Sequence, residues 1–374
     1  MTQSSPENAQ KVLLLTVQGI GNTILSLPVI YALKAKGYGV DLLLSDNGSS
    51  NLVHFLNVAD QIFIWHENHN LLVNLFRLGL FLQFHHYDTV YALSPAGRRE
   101  NLLLRLAKAR SKRGWRSSER WRLLAFNNPA LPFWNEKKHD LLSNQDLVSL
   151  EDSEIEIALR KVRDQFRELN EKTTQKMEKM KIGAQPLSHV RSKCWSFENF
   201  KNFLILLREQ FEFEVCFFGS YDEASALSQF AASLPMEAEI KAGLTWREVT
   251  QHVNELDFFI GVDSAMSHLS AICGIPTCIL YGVTNPERTC ALGENVLIIQ
   301  DNNSTAASYQ FAKGYAKDQH SLELRVEDVL ESVIPILRFL KQNPKKFDSS
   351  NILFPQPIEQ LPFGAKLRKV ILTR

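Results

Sequence analysis

Apolar residues along this chain fall in short continuous runs that alternate with stretches of helical spacing. The first run, Val12–Val17 (VLLLTV), is unbroken, as expected of a parallel strand covered on both faces. Beyond the glycine-containing turn of "QGIGN", apolar residues recur at helical spacing over Thr23–Lys36, and Gly37 is placed to end that helix in a left-handed C-cap. Val40–Leu44 is a second strand and Tyr87–Leu93 (YDTVYAL) another, followed by the loop "SPAGRREN" and a helix from about Leu102 to Lys108. The β-α-β order predicts a parallel sheet with helices on its faces.

From Glu151 to Lys181 charges become dense. Ile155, Ile157, Leu159, Val162, Phe166 and Leu169 supply one apolar stripe, which predicts a surface helix leading into a linker near "NEKTTQKMEKM". A second alternation follows, with strands predicted at Lys181–Gln185, Glu214–Phe218, Phe258–Val262, Thr277–Tyr281 and Val296–Ile299. "VEDVLESVIPILRFLKQ" is a closing helix containing Pro335. The pattern is α/β throughout and divides into an N-terminal domain at 1–172, a C-terminal domain at 173–340 and a tail at 341–374, expected to pack back on the N-terminal domain. In such sheets ligands bind beyond the carboxyl ends of the strands, so chemistry is expected in the β-to-α loops.

A length of 374 residues agrees with two cores rather than one. The net charge of +1 gives no global field that would select nucleic acid. Five cysteines without a CxxC pair argue for buried thiols, not a disulfide framework. "MTQSSPENAQ" lacks the basic and apolar regions of a secretion signal, and "NLFRLGLFLQF", interrupted by Arg77, is too short to span a bilayer. A cytoplasmic protein is expected. Locally the charge is uneven: ten Lys/Arg lie between Arg98 and Arg122 against Glu100 and Glu119, with Trp115, Trp121, Phe126, Phe133 and Trp134 in or just after the stretch. Such interleaving suits an anionic, lipid-linked acceptor or peripheral contact with the inner membrane surface. A solvated helix face is the plainer alternative. No RNA-binding motif accompanies it, so nucleic acid is not an expected partner.

The most informative stretch is "DFFIGVDSAMSHLSAICGIPTCILYGVTNPER", Asp257–Arg288. A strand ends at Val262, Asp263 and Ser264 are cap-type residues, and Gly274 stops the helix. Ala265, Ser267 and Ala271 keep that helix slim, and a slim helix start with free N–H groups is an anion site. His268 follows one turn later, and the next strand ends in "YGVTNPER". In the N-terminal half the Gly19-x-Gly21 turn is half of a dinucleotide fingerprint, but Ile24 occupies the third glycine position, which leaves an NAD-dependent oxidoreductase as the weaker alternative.

The stretch "VDSAMSHLSAICGIPTCILYGVTNP" resembles the signature of the bacterial heptosyltransferase family, glycosyltransferase family nine: D-[ST]-G-x-x-H-[LI]-x-A-A, a strand, then F/Y-G-x-T-x-P. Ala265 stands where the family has Gly, and Cys273 where it commonly has a small aliphatic residue. "KIGAQPLSHVRSKCW", "FFGSYDEASAL", "AGLTWREVTQHVNELDFFIGVDS" and "GIGNTILSLPVIYALK" resemble other family segments. The resemblance implies a GT-B fold, two Rossmann-like domains facing across a cleft, and an inverting transferase whose nucleotide-sugar donor is, by that resemblance, ADP-heptose, with no metal or other cofactor. Carried over by position, Ser188 and Lys193 would contact the donor diphosphate, Glu223 the ribose and Leu244 the base. Asp263 would bind the donor sugar, Ser264 and Ala265 the phosphates, and His268 would act there or pack in the core. Gly21, Asn22, Arg98 and Arg99 would face a glycan, lipid-linked or protein acceptor. The family's general base is an Asp at the Asn22 position, and an amide cannot take a proton in that role. Asn22 would then orient the acceptor or cap the helix, with Glu100 as substitute base, or else the chain is a non-catalytic sugar-nucleotide binder.

Overall fold

In a computed structural model of the chain, residues 10–16, 19–45, 47–66, 71–94, 98–115, 132, 135, 138–168, 179–293, 295–301, 322–342 and 366–369 are described. The chain divides into two compact units, Met1–Val162 and Arg163–Arg374, each containing one sheet.

The first unit runs β1 (Lys11–Thr16), α1 (Ile20–Ala35), β2 (Gly39–Leu44), α2 (Asn47–Leu56), β3 (Gln61–Ile64), α3 (Leu71–Phe84), β4 (Tyr87–Ala92), α4 (Arg98–Leu106), β5 (Ala109–Arg113), α5 (Asp140–Val148) and α6 (Asp152–Arg167). Its parallel sheet has the order β3-β2-β1-β4-β5, so the direction of winding reverses between β1 and β4. Val12, Leu13, Leu14 and Leu15 are fully buried, as the unbroken apolar run requires. Helix α1 is buried continuously from Thr23 to Leu33 and gives way to Gly37 at φ +84°, a left-handed turn that glycine adopts without steric cost.

Three sequence expectations are corrected in this unit. Helix α1 starts at Ile20, not Thr23, and its cap position is Gly19, so Asn22 lies inside the first turn and does not cap it. Helix α4 starts at Arg98, which takes Arg98, Arg99 and Glu100 out of the loop. A carboxylate in a first helical turn is favoured by the helix dipole, and Leu103, Leu104 and Ala107 bury the helix's inner face. Ile157 is 63% exposed: two helical steps turn it about 200° away from the buried Ile155.

The second unit contains β6 (Met180–Gln185), a single 3-10 turn at Arg191–Lys193, α7 (Phe197–Arg208), β7 (Phe213–Gly219), a 3-10 turn at Tyr221–Glu223, α8 (Ala224–Ala232), β8 (Ala238–Ala242) and α9 (Trp246–Asn254). It continues through β9 (Phe258–Val262), α10 (Ala265–Ile272), β10 (Thr277–Tyr281), α11 (Pro286–Thr289), β11 (Val296–Gln300), α12 (Val326–Gln342) and β12 (Lys366–Lys369). The sheet order is β12-β11-β10-β9-β6-β7-β8, parallel except for β12, with the reversal between β6 and β9. The boundary between units falls inside α6, ahead of the expected 172/173, because the last turn of α6 is tied into the second unit. Asn254 Nδ2 donates to Phe166 O at 2.8 Å, and Arg167 Nε donates to Cys273 O at 3.0 Å. Of the tail 341–374, expected on the N-terminal domain, Lys366–Lys369 instead pairs antiparallel with β11, where it covers a sheet edge that would otherwise expose a row of backbone donors and acceptors.

Both units are α/β with parallel strands at the centre, as the sequence pattern predicts. The cysteines are free thiols, and Cys216, Cys273, Cys278 and Cys290 are buried. Burial pushes the Cys273 and Cys290 thiols up to about 12, far from a reactive thiolate.

Candidate functional site

At the reversal point of the second sheet, the loops after β6 and β9 leave adjacent strands from their carboxyl ends. The β6 loop delivers Lys193, the β9 loop Asp263. Lys193 Nζ lies 2.8 Å from Asp263 Oδ2 and also donates to Asp263 O at 3.3 Å. His268, one turn along α10, places Nε2 3.6 Å from the other carboxylate oxygen. Asp263 and His268 are buried, whereas the lysine side chain keeps 20% of its surface in solvent. Burial alone would push the Asp263 carboxyl up. The Lys193 ammonium and the His268 ring outweigh that and hold it well below the usual carboxylate range. It is therefore an anion throughout the neutral range, and the lysine is held at the mouth of the site.

The start of α10 has no side-chain cap. Ser264 occupies the cap position, but its hydroxyl donates to Gln185 Oε1 and does not serve the helix. Ser264 and Ala265 are half-buried, and Lys193 reaches Asp263, the residue just ahead of the α10 cap position. A positive helix end next to a lysine is suited to a phosphate. The sequence expectation of a side-chain cap is thus corrected, and the correction leaves the helix start better prepared for an anion. Beyond β10, Asn285 caps α11 by accepting from Glu287 N at 3.0 Å. Tyr281, its hydroxyl donating to Thr289 O at 3.1 Å, stays neutral: burial first, then the nearby Asp263 charge, raises it well above its ordinary value.

The turn that carries Lys193 is fixed from behind. Trp195 is fully buried against Phe200 and Phe203, and its Nε1 donates to Leu324 O at 2.9 Å. Leu322 N donates to Cys194 O at 3.0 Å. Ser188 sits in the same loop, where its Oγ accepts from Val190 N at 3.3 Å. Glu223 is engaged in a capping box: its Oε2 accepts from Ser220 N at 2.7 Å and from Ser220 Oγ at 3.0 Å. Leu244 is half-buried in the loop after β8, between Gly243 at φ +68° and the α9 cap Thr245. Lys193, Asp263, Ser264, Ala265 and His268 are thus brought together by direct contact or chain adjacency, while Glu223 and Leu244 belong to the neighbouring loops after β7 and β8.

In the first unit the reversal lies between β1 and β4. Asn22 is half-buried in the first turn of α1, its carbonyl accepting from Ser26 Oγ at 2.9 Å, with Gly21 beside it. Glu100 is buried, at 2% exposure, and the Arg99 guanidinium lies 5.9 Å from the Trp65 ring centre. The sequence reading missed a buried polar group at the end of β4. Ser94 Oγ donates to Asp140 Oδ1 at 2.7 Å, Ser94 N donates to Asn144 Oδ1 at 2.6 Å, and His139 caps α5 through Leu141 N. The visible signal was "HDLLSNQD", a cap-type pair ahead of an apolar run with polar residues at helical spacing. The basic and aromatic stretch lies outside the described residues beyond Trp115, except for isolated positions. Among the described residues no group of three His, Cys, Asp or Glu is arranged to hold a metal, and no helix is long and apolar enough to cross a membrane.

A family model described as glycosyltransferase family 9 (heptosyltransferase) matches residues 75–316. No curated protein matches the chain in sequence. Among solved structures, it is similar to a glycosyl transferase of family 9 from Veillonella parvula at 15% identity and TM-score 0.62, covering 89% of this chain and 98% of the other. E. coli ADP-heptose lps heptosyltransferase II is similar at 16% identity and TM-score 0.60, covering 90% and 100%. E. coli heptosyltransferase WaaC, solved with ADP, is similar at 17% identity and TM-score 0.59, covering 82% and 100%. At these identities the structures establish the shared fold, and the family match spans more than half the chain.

Proposed function

Since the chain belongs to glycosyltransferase family 9, we propose that it transfers heptose from an ADP-linked donor, with inversion and without a metal, to a glycan acceptor of the lipopolysaccharide type. The choice of donor rests on the similar E. coli heptosyltransferase WaaC, solved with ADP and again with ADP-2-deoxy-2-fluoro heptose. The observation that carries the reading is the Lys193–Asp263 pair at 2.8 Å, set against the uncapped start of α10.

The chemistry follows from that arrangement. The donor diphosphate lies over the Ser264 and Ala265 N–H groups, with Lys193 and the Ser188 hydroxyl at its side. As the bond to the sugar breaks, charge grows on the leaving phosphate where a lysine and a helix end already point, so these contacts strengthen toward the transition state. Asp263 would repel a phosphate. Its carboxylate instead accepts from sugar hydroxyls and holds the ammonium in place, while His268 orients the carboxylate. Glu223 turns from Ser220 to the ribose, and the backbone at Leu244 meets the base.

The acceptor is held by the first unit at Gly21, Asn22, Arg98 and Arg99. Asn22 hydrogen-bonds the acceptor hydroxyl without taking its proton. The proton goes to a buried carboxylate at the same end of the sheet, Glu100 or the Ser94-bonded Asp140.

Titration calorimetry of the full chain with ADP, UDP, GDP and NAD tests the donor reading. ADP binding that weakens in Lys193→Ala is the expected result; binding of NAD alone overturns it. Turnover of ADP-heptose, followed by ADP release, separates an enzyme from a sugar-nucleotide binder.

A further inference from the structure

Helices α1 and α3 are both apolar nearly all round, which ordinarily marks a helix enclosed by protein. Helix α1 meets that expectation, with eleven consecutive buried residues. Helix α3 does not. Its inner face is buried through Leu78 and Leu82, yet Leu72, Val73, Phe76, Leu80 and Phe84 are exposed at 71, 53, 71, 44 and 77%. Leu72, Phe76, Leu80 and Phe84 follow one another at intervals of four and form a single stripe. Among the described residues only Ile157 and Tyr221 are other large apolar side chains with comparable exposure, so the concentration on one helix is not the ordinary scatter of surface hydrophobics.

Charge decides what fits this face. Helix α3 contains no acidic residue, and its one charged residue is Arg77. At its C-terminal end, Leu82 O accepts from Lys108 N, which sets the exposed Lys108 beside the last turn. Two residues on, the Arg110 side chain is 87% exposed and shares its charge with Asp88 at 3.2 Å. A second copy of the same face would bring like charges together. An anionic lipid surface complements both features at once, taking the aromatic and aliphatic side chains among its headgroups and the cations at its phosphates. Fourteen residues of helix reach only about 21 Å, short of the ~30 Å hydrocarbon core, so the helix lies on the surface and does not cross it.

We propose that the exposed face of α3 docks the protein on an anionic lipid bilayer. Helix α3 follows β3, so its first turn lies at the carboxyl end of the sheet, the end that carries Asn22 and Ser94. Docking through this face therefore keeps that end of the first unit close to the bilayer. The inference does not depend on the transferase reading, and its test needs no sugar nucleotide.

Flotation of the full-length protein with vesicles of mixed phosphatidylglycerol and phosphatidylcholine, against phosphatidylcholine alone, is the test. Wild type floats with the mixed vesicles and much less with the neutral ones. Phe76→Ser and Phe84→Ser each lower partitioning about tenfold or more. Lys108→Gln and Arg110→Gln each lower it about fivefold, on the anionic vesicles only. Thermal melting alongside checks that each variant is folded. Wild type that ignores anionic vesicles, or phenylalanine variants that float as well as wild type, overturn the proposal. So does a wild-type dimer in sedimentation that Phe76→Ser dissolves without any change in flotation.

Discussion

The two sheets reverse their winding in the same way, but their reversal points are furnished differently. In the second unit the carboxyl ends of β6 and β9 bring a lysine, a carboxylate and an imidazole into a chain of contacts of 2.8 and 3.6 Å beside an uncapped helix. In the first unit the corresponding ends offer an amide, Asn22, half-buried in a helical turn, and carboxylates that are buried. An anion can reach the first arrangement at once. The second presents an uncharged amide, and its carboxylates Glu100 and Asp140 are inside the protein. Under the proposed function, the difference corresponds to a division of labour in which activating the leaving group does more than activating the nucleophile.

The sharpest way to break that comparison is to remove the carboxylates. Of Glu100→Gln and Asp140→Asn, one is expected to lower kcat by about 100- to 10 000-fold with little change in acceptor KM, as for loss of a general base. Near-normal turnover in both variants places the proton elsewhere. Lys193→Ala is next, with kcat lowered about 100- to 1000-fold and ADP binding weakened in calorimetry. A folded variant with unchanged turnover would show that the diphosphate lies away from this lysine.

The pair also leaves a mark on stability. The Asp263 carboxyl is held low in the folded protein, so its stabilisation is complete above the unfolded value of about 3.9 and declines as pH falls below it toward the folded one. Denaturation curves between neutral pH and pH 3 should show wild type losing stability below about pH 4, and Asp263→Asn losing less over the same range. At neutral pH the variant should be less stable, because a largely buried lysine has lost its partner; about 3–5 kcal/mol is typical of such a break, less here because Lys193 is partly in solvent. The smallest effect is expected from Asn22→Ala. Asn22 does not cap α1, so the melting curve should move by no more than about 0.5 kcal/mol, while activity drops several-fold. Asn22→Asp, measured beside it, should raise kcat if the turn still presents a side chain to the acceptor.

What the sequence made legible follows from how each element is buried. The central strands β1, β2, β4, β6, β7, β9, β10 and β11 are dense in apolar residues and were placed within a residue or two. Every strand that escaped the reading, β3, β5, β8 and β12, lies at a sheet edge. An edge strand buries one side only and often carries charge against unwanted pairing, as in "ARSKR" at β5, so its pattern is faint. The closeness of Asp263 and His268 could be read because local order fixes it: a strand, a cap pair and a helix bring the two together within six residues. The bond of Gln185 to the Ser264 hydroxyl could not, nor could the joining of Ser94 to Asp140 and Asn144, since the partners lie 79, 46 and 50 positions apart and "HDLLSNQD" marks only the helix start.

The tether behind Lys193 has a consequence for how the protein is made. Trp195 is held by the carbonyl of Leu324, a residue that leaves the ribosome 129 positions later. At about 5–20 residues per second, roughly 6–26 s pass between the two. During that interval the first unit already has its whole sequence available, whereas the lysine turn has no clasp. A nascent chain released before Leu324 would carry Lys193, Asp263 and His268 and still lack the Trp195 clasp behind the lysine. The lysine turn is therefore clasped late in translation, after the first unit can already have folded.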